Sequence, residues 1–334
     1  MKAIVFTGPG QAKLLQVPKP KVKDGWTLIK VSHAGICGSD LTIFSGHHPR
    51  AKAPLVMGHE FSGWLAQDIP GLPAGTPVTV NPLLSCGHCT PCLEGNSHVC
   101  RTLGLLGIDC DGGMAEYAAA PISMILPLPE DISLKLGAFI EPVAVTVHAV
   151  RMASYLPGDS TLVFGAGTIG LATALTLRKF GASSVTICES NPIRLKLAES
   201  LGFHGIQSGN GLLDELLEET NGEGYDYVFD CAGHQSVADI LPDVVKIRGK
   251  IEIVAGYKAP PSMDFQKGMF REFSIQFTRV YRMKDFEIAA RLAAKDPDYE
   301  KLINYELAPE DAEKGFELLT TPTDAVKVMY RFHQ

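Results

Sequence analysis

The segment TLVFGAGTIGLATALTLRKFG, residues 161–181, constrains the fold of this chain more than any other. TLVF reads as a buried strand, the glycines as a tight turn, and the run after them has helical spacing closed by Gly181. A strand that passes through a glycine turn into a helix opens a parallel βαβ unit. The pattern then repeats. SVTICE (184–189) reads as a strand and 191–201 as a helix with Pro192 near its start; YDYVFD (225–230), KIEIVAG (250–256) and SIQFTRV (274–280) read as further strands. Strand–helix alternation sustained over about 130 residues predicts an α/β domain built on a doubly wound parallel sheet.

The first part of the chain has a different texture. Short β-rich pieces (AIVF, TLIKVS, PVTV) alternate with loops rich in glycine and proline, which predicts an all-β, barrel-like domain with long functional loops. LKLGAFIEPVAVTVHAVRMASYL (134–156) has helical spacing, 284–295 and 309–319 are helix candidates, and AVKVMYRF (325–332) is strand-like. Two domains also suit a chain of 334 residues. With 46% hydrophobic and 20% charged residues, the composition is that of a soluble globular protein. A net charge of −7, with no run of five like charges, speaks against nucleic acid or an anionic membrane as partner. The start, MKAIVFTGPGQAK, is not a signal peptide, and no apolar segment reaches the ~18 residues that span a bilayer. The expected location is the cytoplasm, where disulfides are rare. The eight cysteines are Cys37, Cys86, Cys89, Cys92, Cys100, Cys110, Cys188 and Cys231. Clustered ones therefore suggest metal, and scattered ones buried thiols.

GAGTIG fits G-x-G-x-x-G through Gly165, Gly167 and Gly170. The glycines permit the turn and let backbone N–H groups, those of Thr168 and Ile169 among them, approach a pyrophosphate at the helix N-terminus. Glu189 ends the next strand, nineteen residues past Gly170. Its carboxylate can accept hydrogen bonds from ribose hydroxyls and would repel a 2′-phosphate, which favours NAD over NADP. Arg194 lies close by in sequence, where it could offset that charge or lie over the adenine.

Residues 86–100, CGHCTPCLEGNSHVC, carry the spacing C-x2-C-x2-C-x7-C. Four thiolates close a tetrahedron around Zn²⁺ at ~2.3 Å and leave no open position, so the cluster reads as a structural site rather than a reactive one. A reactive metal must then lie elsewhere. Cys37 in GICGSD and His59 and Glu60 in GHEFSG offer sulfur, nitrogen and oxygen ligands, a mixed set that suits zinc with an exchangeable position.

The order GICGSD, GHEFSG, C-x2-C-x2-C-x7-C, DGGMAEY, GAGTIG and a terminal KVMYRF resembles the zinc-dependent medium-chain alcohol dehydrogenases over essentially the whole chain. The resemblance implies a β-rich GroES-like catalytic domain formed by residues 1–143 and 281–334, with a structural-zinc lobe at 84–102. A Rossmann NAD-binding domain at 144–280 would be inserted between them. It also makes Cys37, His59 and Glu60 the catalytic-zinc positions and Cys86, Cys89, Cys92 and Cys100 the structural-zinc ligands. The family divides on the remaining catalytic ligand, and IEPVAVTVHAV places Glu141 there, as in the polyol and sugar-alcohol branch. One thiolate and two carboxylates would more than neutralise Zn²⁺, so one of Glu60 and Glu141 is expected to be loose or water-bridged.

The implied reaction is reversible oxidation of a secondary alcohol of a polyol, sugar alcohol or sugar acid. Zinc eases loss of the hydroxyl proton, and the carbon passes hydride to the nicotinamide. Ser39, two residues past Cys37, matches the hydroxyl that starts the family's proton relay. Many relatives have a histidine five residues past that cysteine; this chain has Thr42, so the exit to solvent would run through water, a ribose hydroxyl, or His47 or His48. Asp40 and Glu116 sit in family motifs, where hydrogen bonds to loops would suffice. The alternatives are an L-threonine-type 3-dehydrogenase and a non-catalytic zinc-binding relative. Two zinc ions per chain and a homodimer or homotetramer are the remaining expectations.

Overall fold

The computed structural model describes residues 1–321 and 323–333, which form two compact units: Met1–Ala144 with Arg282–Gln334, and Val145–Tyr281. The boundary falls inside the helix Leu134–Met152, which carries Pro142.

The first unit is built on a mixed sheet whose neighbours run Ile125–Pro127, Pro77–Val80, Glu60–Leu65, Trp26–Gly35, Val328–Arg331 and Tyr305–Leu307. Trp26–Gly35 also pairs with Tyr117–Pro121. It reads WTLIKVSHAG and is buried along most of its length, as its apolar and β-branched content requires of a central strand. Ile29, Val31, Phe61, Val78 and Val80 are almost wholly removed from water, each contributing about 1.5–3 kcal/mol of hydrophobic stabilisation. A three-stranded sheet of Gln11–Gln16, Lys2–Gly8 and Leu55–Val56 and a two-stranded one of Leu83–Leu84 and Gly104–Leu105 complete the unit's β-structure around the expected barrel-like core. The chain's last strand thus lies against one of its first, so both ends of the sequence build this unit.

The second unit holds six parallel strands in the order His204–Gln207, Ser184–Glu189, Ser160–Phe164, Tyr225–Asp230, Val245–Ile253 and Ser274–Phe277. Chain order reverses direction between Ser160–Phe164 and Tyr225–Asp230, the switch point where such sheets bind ligands beyond their carboxyl ends. Leu162, Phe164, Val228 and Ile251 are sealed in the core of one face.

The elements depart from the sequence reading in a few places, each with a local cause. The helix after the glycine turn begins at Thr168, inside the motif, with Gly167 as its cap. KIEIVAG stops being strand at Ile253, because the N–H groups of Val254 and Ala255 both turn to the Asp230 carbonyl at 3.0 Å. SIQFTRV ends as strand at Phe277, shortly before Val280, which has φ 46°, outside the β region. The 309–319 candidate divides into a 3-10 turn, Pro309–Asp311, and the helix Ala312–Thr320. Among the described residues no helix is long and apolar enough to cross a membrane.

Candidate active site

Cys37 stands where the Trp26–Gly35 strand gives way to a short helix, Gly38–Phe44. Asp40, fully buried, accepts a hydrogen bond from the Cys37 backbone N–H at 2.8 Å and so fixes the bend that presents the sulfur. His59 follows Gly58, whose φ of 90° suits glycine, and a Cβ there would meet Met114 of the DGGM loop. Glu60 begins the strand Glu60–Leu65 and lies opposite Gly35 in the register. Two adjacent strands thereby bring Cys37, His59 and Glu60 together, with one ligand atom of each within 4.8 Å of the others.

The electrostatics of this group favour a cation. Burial works against a charged His59, yet the Cys37 sulfur and the Asp40 carboxyl hold its pKa well above the usual imidazole value. His59 Nδ1 is buried without a hydrogen-bond partner among the described residues and lies 4.0 Å from Asp40 Oδ2. Burial pushes the Asp40 carboxyl up, and His59 partly offsets it. Sulfur, imidazole nitrogen and carboxylate oxygen converging in a buried negative environment fit Zn²⁺. Glu141, buried on the long helix, is near enough for its charge to raise His59, but its oxygens fall outside the mutual 4.8 Å group.

The sequence reading missed Lys327. Its ammonium group, 1% exposed, pairs with Glu60, 2% exposed, and donates to the Ile36 carbonyl at 2.8 Å. The available signal was a lone lysine inside the apolar run AVKVMY. Ser39 has its hydroxyl oxygen buried and unpartnered among the described residues, as a group awaiting a ligand would. Thr42 bonds back to the Gly38 carbonyl at 3.2 Å. His47 sits in an exposed turn against Ser45. The half-buried His48 is anchored through Nδ1 by the N–H groups of Arg50 and Ala51, and burial lowers its pKa. Glu116 accepts from the Lys2 backbone N–H at 2.7 Å, a loop tie.

Cys86, Cys89, Cys92 and Cys100 form a second converging group, all four sulfurs within 4.8 Å of one another. The short helix Thr90–Leu93 and the 3-10 turn Ser97–Val99 space them. Backbone N–H groups of Cys86 and Thr102 point at the Cys100 sulfur and lower its pKa to about 6, while burial and the Cys89 thiol push Cys92 up to about 11. Four sulfurs at these separations can close around one metal ion and leave no entry for a substrate.

In the second unit, Gly165 takes φ 96° and Gly170 packs beneath it, where a Cβ would run into the Gly165 carbonyl. Gly167 has open space around its Cα, and no side chain caps the helix Thr168–Lys179. Thr168 and Ile169 open this helix, and a helix N-terminus is where backbone N–H groups can meet an anion. Glu189 accepts from the Ala166 N–H at 2.6 Å and the Asn191 N–H at 2.7 Å, which ties the glycine turn to the end of the next strand. Asn191 caps the helix Pro192–Ser200, whose first turn carries Arg194. Asp230 is a further organising group: fully buried, it accepts from the N–H groups of Ala232 and Gly233 and from the Tyr257 hydroxyl, shaping the same carboxyl edge of the sheet.

Comparison with known proteins matches residues 23–130 to the alcohol dehydrogenase GroES-like domain and residues 168–295 to the zinc-binding dehydrogenase domain. The chain is 32% identical to a sorbitol dehydrogenase of Halalkalibacterium halodurans, covering 98% of both chains. It is 32% identical to an L-threonine 3-dehydrogenase of Bacillus subtilis, covering 96% of this chain and 95% of the other. It superposes with TM-score 0.92 and 29% identity on a crystal structure described as a short-chain alcohol dehydrogenase, RspB, of Escherichia coli CFT073 complexed with NADH, covering 99% of each.

Proposed function

Because the chain belongs to the zinc-type medium-chain alcohol dehydrogenases, in the branch that contains the polyol dehydrogenases, we propose that it oxidises a secondary hydroxyl of a polyol, sugar alcohol or sugar acid with NAD. The observation that carries this reading is the convergence of half-buried Cys37 with buried His59 and Glu60 beside Glu141, in a chain that also bears the glycine turn and Glu189. Cys37, His59, Glu141 and Glu60 would hold one zinc ion per chain, which supplies Lewis acidity toward the substrate oxygen. Cys86, Cys89, Cys92 and Cys100 would hold a second, structural one.

The chain's own residues supply the rest. Ser39 Oγ, shut from solvent and without a partner among the described residues, is suited to accept the hydroxyl proton. NAD, when bound, would supply the hydride acceptor, so that the alcohol becomes a ketone and NAD becomes NADH while the proton leaves to water. The glycine turn and the N-terminus of the helix Thr168–Lys179 would bind the pyrophosphate, and Glu189 would accept from the adenosine ribose. Its carboxylate retains acceptor capacity beyond its two backbone bonds and the Ser190 hydroxyl, and its charge disfavours a 2′-phosphate. Arg194, at the first turn of the next helix, would lie over the adenine. The working assembly is a homodimer or homotetramer, with activity in the cytoplasm on a small free substrate.

A screen of polyols, sugar acids and L-threonine by NADH absorbance tests this. The expected result is turnover of a polyol or sugar acid, with higher kcat/KM for NAD than NADP. Exclusive turnover of L-threonine would move the chain to the 3-hydroxy amino acid reading, which the similarity to an L-threonine 3-dehydrogenase supports as the alternative.

A further inference from the structure

We propose that a groove in the first unit, lined by the segment 17–23 and the strand Leu55–Val56, is a binding site for an aliphatic carboxylate: one alkyl chain ending in one negative charge. The groove holds about 840 Å³, within the roughly 300–1,000 Å³ of small-molecule sites, and its surface is mostly apolar. Val5, Val17, Leu55 and Val56 supply that surface, and none of Cys37, His59, Glu60 and Glu141 lines it. Lys19, Lys21 and Lys23, at alternate positions of VPKPKVK, line it as well. Pro18 and Pro20 have no N–H to give a neighbouring strand, so this segment runs as a strap between the strands Gln11–Gln16 and Trp26–Gly35. The strap is tied at its ends, by the Val17 N–H to the Met1 carbonyl at 2.9 Å and by the Trp26 N–H to the Lys23 carbonyl at 3.0 Å.

Charge and packing choose the ligand. Lys19 Nζ lies 3.6 Å from the centroid of the Tyr117 ring and Lys23 Nζ 4.0 Å from that of Trp26, so aromatic side chains that line the groove hold both ammonium groups against it. Among the described residues Lys19, Lys21 and Lys23 have no carboxylate partner. The two acidic side chains that line the groove are engaged elsewhere. Asp109 accepts from the Leu105 N–H at 2.8 Å and pairs with Arg50 at 3.4 Å, and Asp111 accepts from the Val56 N–H at 3.0 Å. A polar cavity of the same unit lacks this property, because its charges pair with one another: Lys2 with Glu310 at 2.6 Å and Arg331 with Glu306 at 3.2 Å. Three unpaired cations beside an apolar surface, in a chain of net charge −7, complement an apolar anion. The body of that anion is aliphatic, since lysines already occupy a face of Tyr117 and of Trp26 and leave valine and leucine side chains to pack on it. A peptide strand fits less well, because the prolines remove main-chain donors that it would pair with.

The experiment titrates the zinc-loaded protein, without NAD, with decanoate, followed by calorimetry and by tryptophan emission. Trp26 lines the groove and is one of only two tryptophans in the chain, so emission reports on the site directly. The expected result is one saturable site per chain. Each buried methylene is worth up to about fourfold in affinity, so octanoate should bind about tenfold more weakly. Decanamide keeps the chain without the charge, and naphthalene-2-carboxylate keeps the charge on an aromatic body; each should bind more weakly than decanoate by about tenfold. The triple variant Lys19→Gln/Lys21→Gln/Lys23→Gln changes exposed side chains only, so it should keep the wild-type circular dichroism and Tm while losing about tenfold in decanoate affinity. Unchanged affinity in that variant overturns the proposal, as does the absence of saturable binding below the concentration at which decanoate forms micelles. Equal binding of decanamide or of naphthalene-2-carboxylate overturns the assigned chemistry. Binding that disappears when a chelator strips the mixed-ligand zinc places decanoate at the metal and also overturns it. No step depends on turnover, so failure of the proposed function leaves this outcome standing.

Discussion

Glu252 should make this protein less stable as pH rises through neutrality. It lies in the strand Val245–Ile253 between Ile251 and Ile253, is 1% exposed, and both carboxylate oxygens lack a hydrogen-bond partner among the described residues. Burial raises its pKa from 4.5 to about 8; the Thr278 hydroxyl and the Lys250 ammonium pull the other way without offsetting it. Lys250 is engaged with the Ala153 carbonyl at 3.0 Å. Between those two pKa values the folded state holds a proton that the unfolded state has lost, so stability falls with rising pH and levels off above about 8. At 1.36 kcal/mol per unit, the loss relative to pH 4.5 is about 3 kcal/mol at pH 7 and about 5 kcal/mol above pH 8. Glu252→Gln keeps the shape and removes the titration. Urea unfolding of both proteins from pH 5 to 9 should show the variant gaining on wild type by about 4 kcal/mol across the range. A difference that stays flat with pH would mean that Glu252 is not held neutral in the fold, and the reasoning fails.

Two other outcomes follow from the sites. Gly170→Ala puts a methyl group against the Gly165 carbonyl, so the turn must shift; NAD affinity should drop by at least about tenfold in a fluorescence titration, and the unit should lose about 1–3 kcal/mol. Chelation should remove the mixed-ligand zinc, and activity with it, before the cysteine lobe releases its own, because the four-sulfur group has no exchangeable position. Loss of both metals in a single step with global unfolding, followed by circular dichroism, would contradict that order.

What was legible in the sequence was whatever depends on local spacing. The parallel sheet could be read because TLVF, SVTICE and YDYVFD are apolar runs bounded by turn residues, and all three are strands within a residue of the expected limits. Element ends were harder, because a carbonyl from another strand decides them: Asp230 stops the Val245–Ile253 strand by capturing two N–H groups that no local pattern marks. The edge strand His204–Gln207 and the helix Leu212–Glu219 went unread for a related reason, since the strand's short run, HGIQ, carries too little apolar content to stand out.

The candidate site divides along the same line. The cysteine lobe is contiguous, so its spacing alone predicts a converging group. Cys37, His59 and Glu60 come from two adjacent strands, and the motifs around them carried that reading through family resemblance rather than spacing. Lys327 lies 267 positions beyond Glu60 and could be brought to it only by the terminal strand's return to the sheet, a long-range pairing that periodicity does not encode. Yet the need for it was present in the charges. Two carboxylates and a thiolate around one divalent ion leave an excess negative charge, which buried surroundings do not tolerate, so some cation had to be near. Counting charge at a proposed site predicts that a partner exists; only the fold names it.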